Sequence, residues 1–203
     1  HLYSKLYCWV GLDRAIRFSE QHGLPGEIRE WKRLRAAIRQ AILSRGYNTQ
    51  VGAFTRSFES TDLDASALAV ALVGLLPPDD DRVLSTLQRI QQNLTADGPV
   101  YRYRIDDGLP GRDTTFTLCS FWLVMNLALA GRNHDAKALF EHICSFANDV
   151  GLLSEQIDPD SGELRGNFPQ GFTHLGLIRA ALHLQEDVNQ EGRTKTRCHS
   201  RRS

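Results

Sequence analysis

Two kinds of helical stretch alternate along this chain, and that alternation constrains its fold more than any other feature. Residues 62–76, 114–130 and 169–186 are apolar nearly all round, as in Leu63, Ala67, Val70, Ala71 and Leu75, so each expects burial on every side. Residues 27–45, 79–95 and 133–148 are apolar on one face only. Concentric rings of helices give this pattern, with inner helices enclosed and outer helices wetted on one side. A further helix is read over 4–22, where Leu6, Trp9, Val10, Leu12, Ile16 and Phe18 fall at helical spacing until Gly23 stops them. The fold class is therefore all-α. No run of residues reads as a convincing strand, although the loop at 47–61 has room for a short irregular hairpin.

The connections carry a second regularity. Loops at 46–61, 96–113 and 149–168 are long, and each follows an amphipathic helix and precedes an apolar one, whereas the junctions near 76–79 and 130–133 are short. Long loops on a rigid helical scaffold are where binding and catalysis concentrate. Residues 187–203 change character: Arg193, Lys195, Arg197, Arg201 and Arg202 stand among Gly, Thr and Ser without an apolar period. The main domain is thus read as 1–186, and 187–203 as a basic tail expected to be disordered.

Charge and cysteine content remove several function classes. With 24 basic and 24 acidic side chains the formal charge is zero, which argues against a broad surface for nucleic acid or anionic membrane. No apolar run approaches the roughly 20 residues that span a bilayer. The chain opens His1-Leu2-Tyr3-Ser4-Lys5, without the apolar run of a signal peptide, and reads as an excised piece of a longer cytoplasmic protein. Cys8, Cys119, Cys144 and Cys198 show no metal-binding spacing; the first three sit in apolar helical patterns and read as buried free thiols. No cofactor and no metal are called for, and the oligomeric state is open.

One loop stands out chemically. Gly151-Leu152-Leu153-Ser154-Glu155-Gln156-Ile157-Asp158-Pro159, continuing to Gly166-Asn167-Phe168-Pro169-Gln170, sets a carboxylate among amides, aromatics and turn-formers between two helical stretches. Such a group suits sugar hydroxyls or an activated water, although a solvated loop acid is the alternative for Glu155 in isolation. Asn167 and Gln170 either orient Glu155 or a sugar hydroxyl, or cap the last helix. His174 fits a core histidine as well as a substrate contact. Asp64, at the start of a buried helix, fits N-terminal capping, and the spacing of Trp9 and Trp122 fits core packing better than sugar stacking.

Several stretches resemble glycoside hydrolase family 15, the glucoamylase and trehalase family. They are Ser4-Lys5-Leu6-Tyr7-Cys8-Trp9-Val10-Gly11-Leu12-Asp13-Arg14-Ala15, Leu63-Asp64-Ala65-Ser66, Asp106-Asp107-Gly108-Leu109-Pro110-Gly111, Phe116 to Val124, Asn148-Asp149 and Gly151 to Ile178. The resemblance covers roughly residues 1–185. It implies a partial (α/α)6 barrel, a six-hairpin toroid with about seven of its twelve helices present, in the C-terminal part of the catalytic domain. It also implies an inverting exo-acting α-glucosidase that removes terminal glucose from an oligosaccharide or disaccharide. Inversion needs two carboxylates about 6.5–9.5 Å apart, one protonating the leaving oxygen and one activating water.

By this resemblance Glu155 is the general base. The general acid is expected upstream of His1, in a loop before the Ser4–Trp9 helix. Arg102, in Val100-Tyr101-Arg102-Tyr103, resembles the arginine that grips sugar hydroxyls, and a guanidinium fork suits paired oxygens. Its alternative is a surface arginine paired with Asp106 or Asp107. Asp107 falls in a matching motif and Phe172 aligns with an aromatic near the base. The chain departs from the family at Arg112-Asp113-Thr114, where Gly-Glu-Gly is usual, and at Arg56, where Gln is common. Those departures motivate an alternative, a non-catalytic sugar-binding or interaction module on the same toroid. An incomplete barrel would expose apolar flanks of the helices at 62–76 and 114–130, so self-association is expected.

Overall fold

The computed structural model describes residues 1–105, 108 and 114–199, the last fourteen by backbone only. It is helical, with seven α-helices among the described residues and five strands of two residues each. The chain forms two compact units, His1–Asn93 and Leu94 onward. No helix of the described residues is long and apolar enough to cross a membrane.

In the first unit, helix α1 (Leu2–His22) packs on α2 (Ile28–Arg45). The buried residues of α1 are Leu2, Leu6, Trp9, Asp13, Ile16 and Ser19, a single stripe three or four residues apart. Gly23 ends the helix in the left-handed region at φ 64°, and its amide bonds the Ser19 carbonyl. One member of the stripe is a carboxylate. Asp13 is 2% exposed and meets three arginines: Arg14, Arg17 at 2.9 Å, and Arg35 of α2 at 2.9 Å. Arg14 also donates to the Val73 carbonyl at 3.1 Å, so the cluster ties α1 to two other segments. Asp13→Ala is expected to destabilise the unit by about 1.5–3 kcal/mol, the range for hydrogen bonds to a charged group. The arginines keep access to water, so no buried unpaired charge is left behind. Urea unfolding of the variant against the parent chain measures the difference.

The loop after α2 contains the anticipated hairpin: β1 (Tyr47–Asn48) pairs antiparallel with β2 (Ala53–Phe54). Asn48 organises the turn, its side-chain oxygen accepting from the amides of Gln50 and Val51. The stretch expected as a helix over 62–76 is shorter, a 3-10 turn at Ala65–Leu68 running into α3 (Ala69–Leu72). Asp64 caps it by accepting from the Ser66 amide at 2.8 Å, and Gly74 at φ +79° stops it before Pro77.

Helix α4 (Asp81–Leu94) follows, capped by Asp80, which accepts from the Arg82 amide and guanidinium. The Arg82 side chain holds Asp80 below the usual carboxylate range. A depressed carboxylate stabilises the fold above its unfolded value and loses that contribution as the pH drops through its lower folded value. The Asp80→Asn variant should therefore be less stable than the parent at pH 7, and the gap should close below about pH 4. Acid-titrated thermal melts of the two chains test this.

In the second unit α5 (Thr117–Leu129) is enclosed, packing on α6 (Asn133–Cys144) and α7 (Gly171–His199). Phe121 of α5 is fully buried, 6.0 Å from the Phe140 ring of α6. Gly176 lets α7 approach, because a Cβ there would stand 2.8 Å from Leu118 and 3.3 Å from Phe121.

Four sequence expectations differ from the structure. The last helix runs to His199 rather than 186, since no proline interrupts it and Gln185, Glu186 and Gln190 are good helix formers; the basic change of composition does not mark its end. Of the three cysteines read as buried, Cys8 is exposed, Cys144 half-buried and Cys119 enclosed. Three further strands were not anticipated and are described below. Finally, residues 65–71 and most of 117–128 are buried, and an exposed apolar face lies on α7: Phe172, Leu175, Ile178 and Leu182 are 53–68% exposed.

Candidate active site

Glu155 sits at the head of a small antiparallel sheet in the second unit. Its strands are β3 (Thr115–Phe116), β4 (Gln156–Ile157) and β5 (Leu164–Arg165), with β4 in the middle. Phe116 pairs with Gln156, and Gln156 with Arg165. The β4–β5 connection is Asp158-Pro159-Asp160-Ser161-Gly162-Glu163. Asp158 closes it: its carboxylate accepts from the Asp160 and Ser161 amides, its carbonyl accepts from Gly162, and Arg165 bridges to it at 3.0 Å. That turn sets the register, and the register brings Gly166-Asn167 opposite Glu155.

The meeting is specific. The Glu155 amide donates to the Asn167 carbonyl at 2.9 Å. In return one carboxylate oxygen, Oε2, accepts from the Asn167 amide at 3.1 Å and from Asn167 Nδ2 at 2.8 Å. The other oxygen, Oε1, takes no hydrogen bond among the described residues, and Glu155 is half-buried. Gly166 makes the approach possible: its φ is +72°, and a Cβ on it would lie 3.0 Å from Glu155 Oε2 and 3.1 Å from Glu155 Cβ. The backbone behind the carboxylate is pinned as well. Thr117 donates to the Glu155 carbonyl, Thr173 Oγ1 to Ser154, and the Gln170 amide to Leu153, while the Leu153 amide donates to His174 Nε2. A carboxylate held through one oxygen, whose second oxygen takes no hydrogen bond among the described residues, can accept a proton from a neighbouring water.

The residues expected at the site separate on this geometry. Asn167 contacts Glu155 directly. Gln170 does not; its amide fastens the Leu153 carbonyl and its side chain accepts from Phe172 at 3.5 Å, the capping alternative. Phe172 is 68% exposed. Arg102 is exposed, in a segment joined to the sheet: Phe116 donates to the Val100 carbonyl at 2.7 Å, one strand from the residue following Glu155. Asp107, with Asp106, Arg112 and Asp113, lies outside the described residues. Trp9 is buried and Trp122 half-buried, in keeping with core positions. Sequence reasoning missed Gly166, Thr117 and Thr173. Only the Gly-Asn pair after a strand-like dipeptide carried any signal, as a turn mark. Among the described residues no group of three or more His, Cys, Asp or Glu could hold a metal ion.

The helical fold is of the α/α-toroid type found in glycosidases. A solved glycosidase superposes with a TM-score of 0.78 at 24% identity, covering 91% of this chain and 52% of that one. A glycosidase variant in complex with glucose gives the same TM-score at 25% identity. The model for Glycosyl hydrolases family 15 matches residues 1–182, and the chain belongs to that family. Among curated relatives it is 44% identical to a trehalase of Mycobacterium tuberculosis over 93% of this chain and 28% of that protein. It is 38% identical to a trehalase of Thermoplasma volcanium over 92% of this chain and 30% of that protein. The chain thus spans under a third of the length of these relatives.

Proposed function

We propose that the chain carries the general base of an inverting α-glucosidase whose substrate is trehalose. The observation that carries the reading is the Glu155 carboxylate, fixed through Oε2 on Asn167 while Oε1 takes no hydrogen bond among the described residues. Relatives named trehalases at 38% and 44% identity favour trehalose over longer α-glucosides.

Water attacks the anomeric carbon of one glucose, and Glu155 takes the proton that the water loses. The glycosidic C–O bond breaks as a second carboxylic acid protonates the leaving oxygen. That acid is supplied by polypeptide beyond this chain, within which residues 1–186 form the C-terminal part of the catalytic domain. Arg102 grips hydroxyls of the glucose being cleaved, Asp107 assists it, and Phe172 borders the base. A cytoplasmic setting accords with the free thiols of Cys119 and Cys144.

Stereochemistry tests the mechanism. Attack from the face opposite the leaving group inverts the attacked carbon, while the departing glucose keeps its configuration. Within the complete polypeptide, the first product detected by proton NMR should be α- and β-glucose in equal amounts. Two α anomers would rule out inversion, and trehalose binding without turnover would favour the sugar-binding module instead.

A further inference from the structure

The Leu153-Ser154-Glu155 segment is held by the first turn of α7 in a way that neither strand pairing nor helix capping explains. Leu153 precedes β4, so no sheet partner is available for its amide, and the residue is fully buried. That amide donates instead to a side chain, His174 Nε2, at 3.2 Å. The neighbouring carbonyls are taken up by the same turn: Gln170 N–H reaches Leu153 at 3.1 Å, and Thr173 Oγ1 reaches Ser154 at 3.0 Å. His174 is itself anchored, its amide donating to the Gln170 carbonyl at 3.2 Å. Three backbone polar groups of Leu153 and Ser154, just before Glu155, are thus held by residues 170, 173 and 174.

The contact dictates a protonation state. An amide N–H can be received only by a ring nitrogen without a hydrogen, so Nε2 is bare and the ring proton sits on Nδ1. A ring protonated at Nε2 would set donor against donor and release the Leu153 amide.

We propose that His174 is a positioning residue for Glu155, acting through the Leu153 amide as a hydrogen-bond acceptor rather than as a core filler or a substrate contact. The proposal rests on Glu155 being the general base. It assigns His174 the task of keeping the segment before Glu155 seated on α7, so that the carboxylate stays in register with Asn167.

The unaltered 203-residue chain gives the first test. Nitrogen-15 NMR of histidine-labelled protein should show His174 as the Nδ1–H tautomer, with a scalar coupling across the hydrogen bond from the Leu153 amide. An Nε2–H tautomer, or no coupling, overturns the proposal. His174→Gln keeps an acceptor at similar reach, whereas His174→Leu keeps the volume and removes it. Leu153 amide exchange should accelerate about tenfold or more in the leucine variant and stay within about twofold in the glutamine variant. In the complete hydrolytic polypeptide, kcat should fall about tenfold for leucine with KM nearly unchanged, and glutamine should restore it. Equal losses in both variants would assign the effect to the ring itself and sink the idea. Should Glu155→Gln hydrolyse trehalose normally, the catalytic reading fails while the tautomer and exchange data still report on the Leu153 contact.

Discussion

Glu155→Gln is expected to lower trehalose hydrolysis by the complete polypeptide about 10²–10⁴-fold, the usual share of a general base. The amide has nearly the volume of the carboxylate, and its oxygen can still accept from Asn167, so the fold has no reason to change. What it lacks is an oxygen able to receive a proton from attacking water. The loss should therefore fall on kcat, with KM altered little, since the proposed role assigns the grip on substrate hydroxyls to Arg102. Steady-state kinetics with a glucose-detecting assay measures both constants, and circular-dichroism melts check that the variant is folded. Undiminished turnover in the variant would move water activation to another group.

Gly166→Ala should be nearly as damaging, although it removes no group that reacts. Alanine meets two penalties at this position. Its backbone must adopt φ +72°, which for a residue with a Cβ costs about 1–2 kcal/mol. The added carbon would also stand 3.0 Å from Glu155 Oε2 and 3.1 Å from Glu155 Cβ, closer than a Cβ normally comes to either. The neighbour cannot yield freely, since the Glu155 backbone is tied to Thr117 and Asn167. The carboxylate must swing off Asn167, and a displacement of about an ångström can cost about 10²-fold in rate. Gly166→Asn separates the two causes. Asparagine tolerates the left-handed backbone better than alanine but brings the same Cβ. It should recover part of the stability measured in urea and none of the turnover. Recovery of both would show that strain, rather than displacement of Glu155, limits the alanine variant.

These two residues also show how far the sequence could be read. Glu155 drew attention in the sequence because it stands in a loop of turn-formers inside a motif resembling glycoside hydrolase family 15; its neighbours alone fit a solvated loop acid as well. Gly166 drew none. Its importance depends on Glu155 lying across from it, and that follows from strands only two residues long. Two residues are too few to display the alternation that identifies a strand. The same shortness hid β3, which lay within the stretch expected as the start of a helix at 114. His174 illustrates a third situation. Its position at a helix start was plain, yet its partner is a backbone amide 21 residues away, and nothing in the local pattern indicates which amide a side chain will meet.

The existence and type of the main helices followed from the sequence alone, because apolar spacing and breakers such as Gly23 act within a few residues of one another. So did the family, whose model matches residues 1–182. The tertiary structure decided which oxygen of Glu155 is held, by whom, and how closely Gly166 approaches it. Those contacts join residues separated along the chain, and they are set by the register of a short sheet and by the seating of α7, neither of which leaves a periodic trace in the residues themselves.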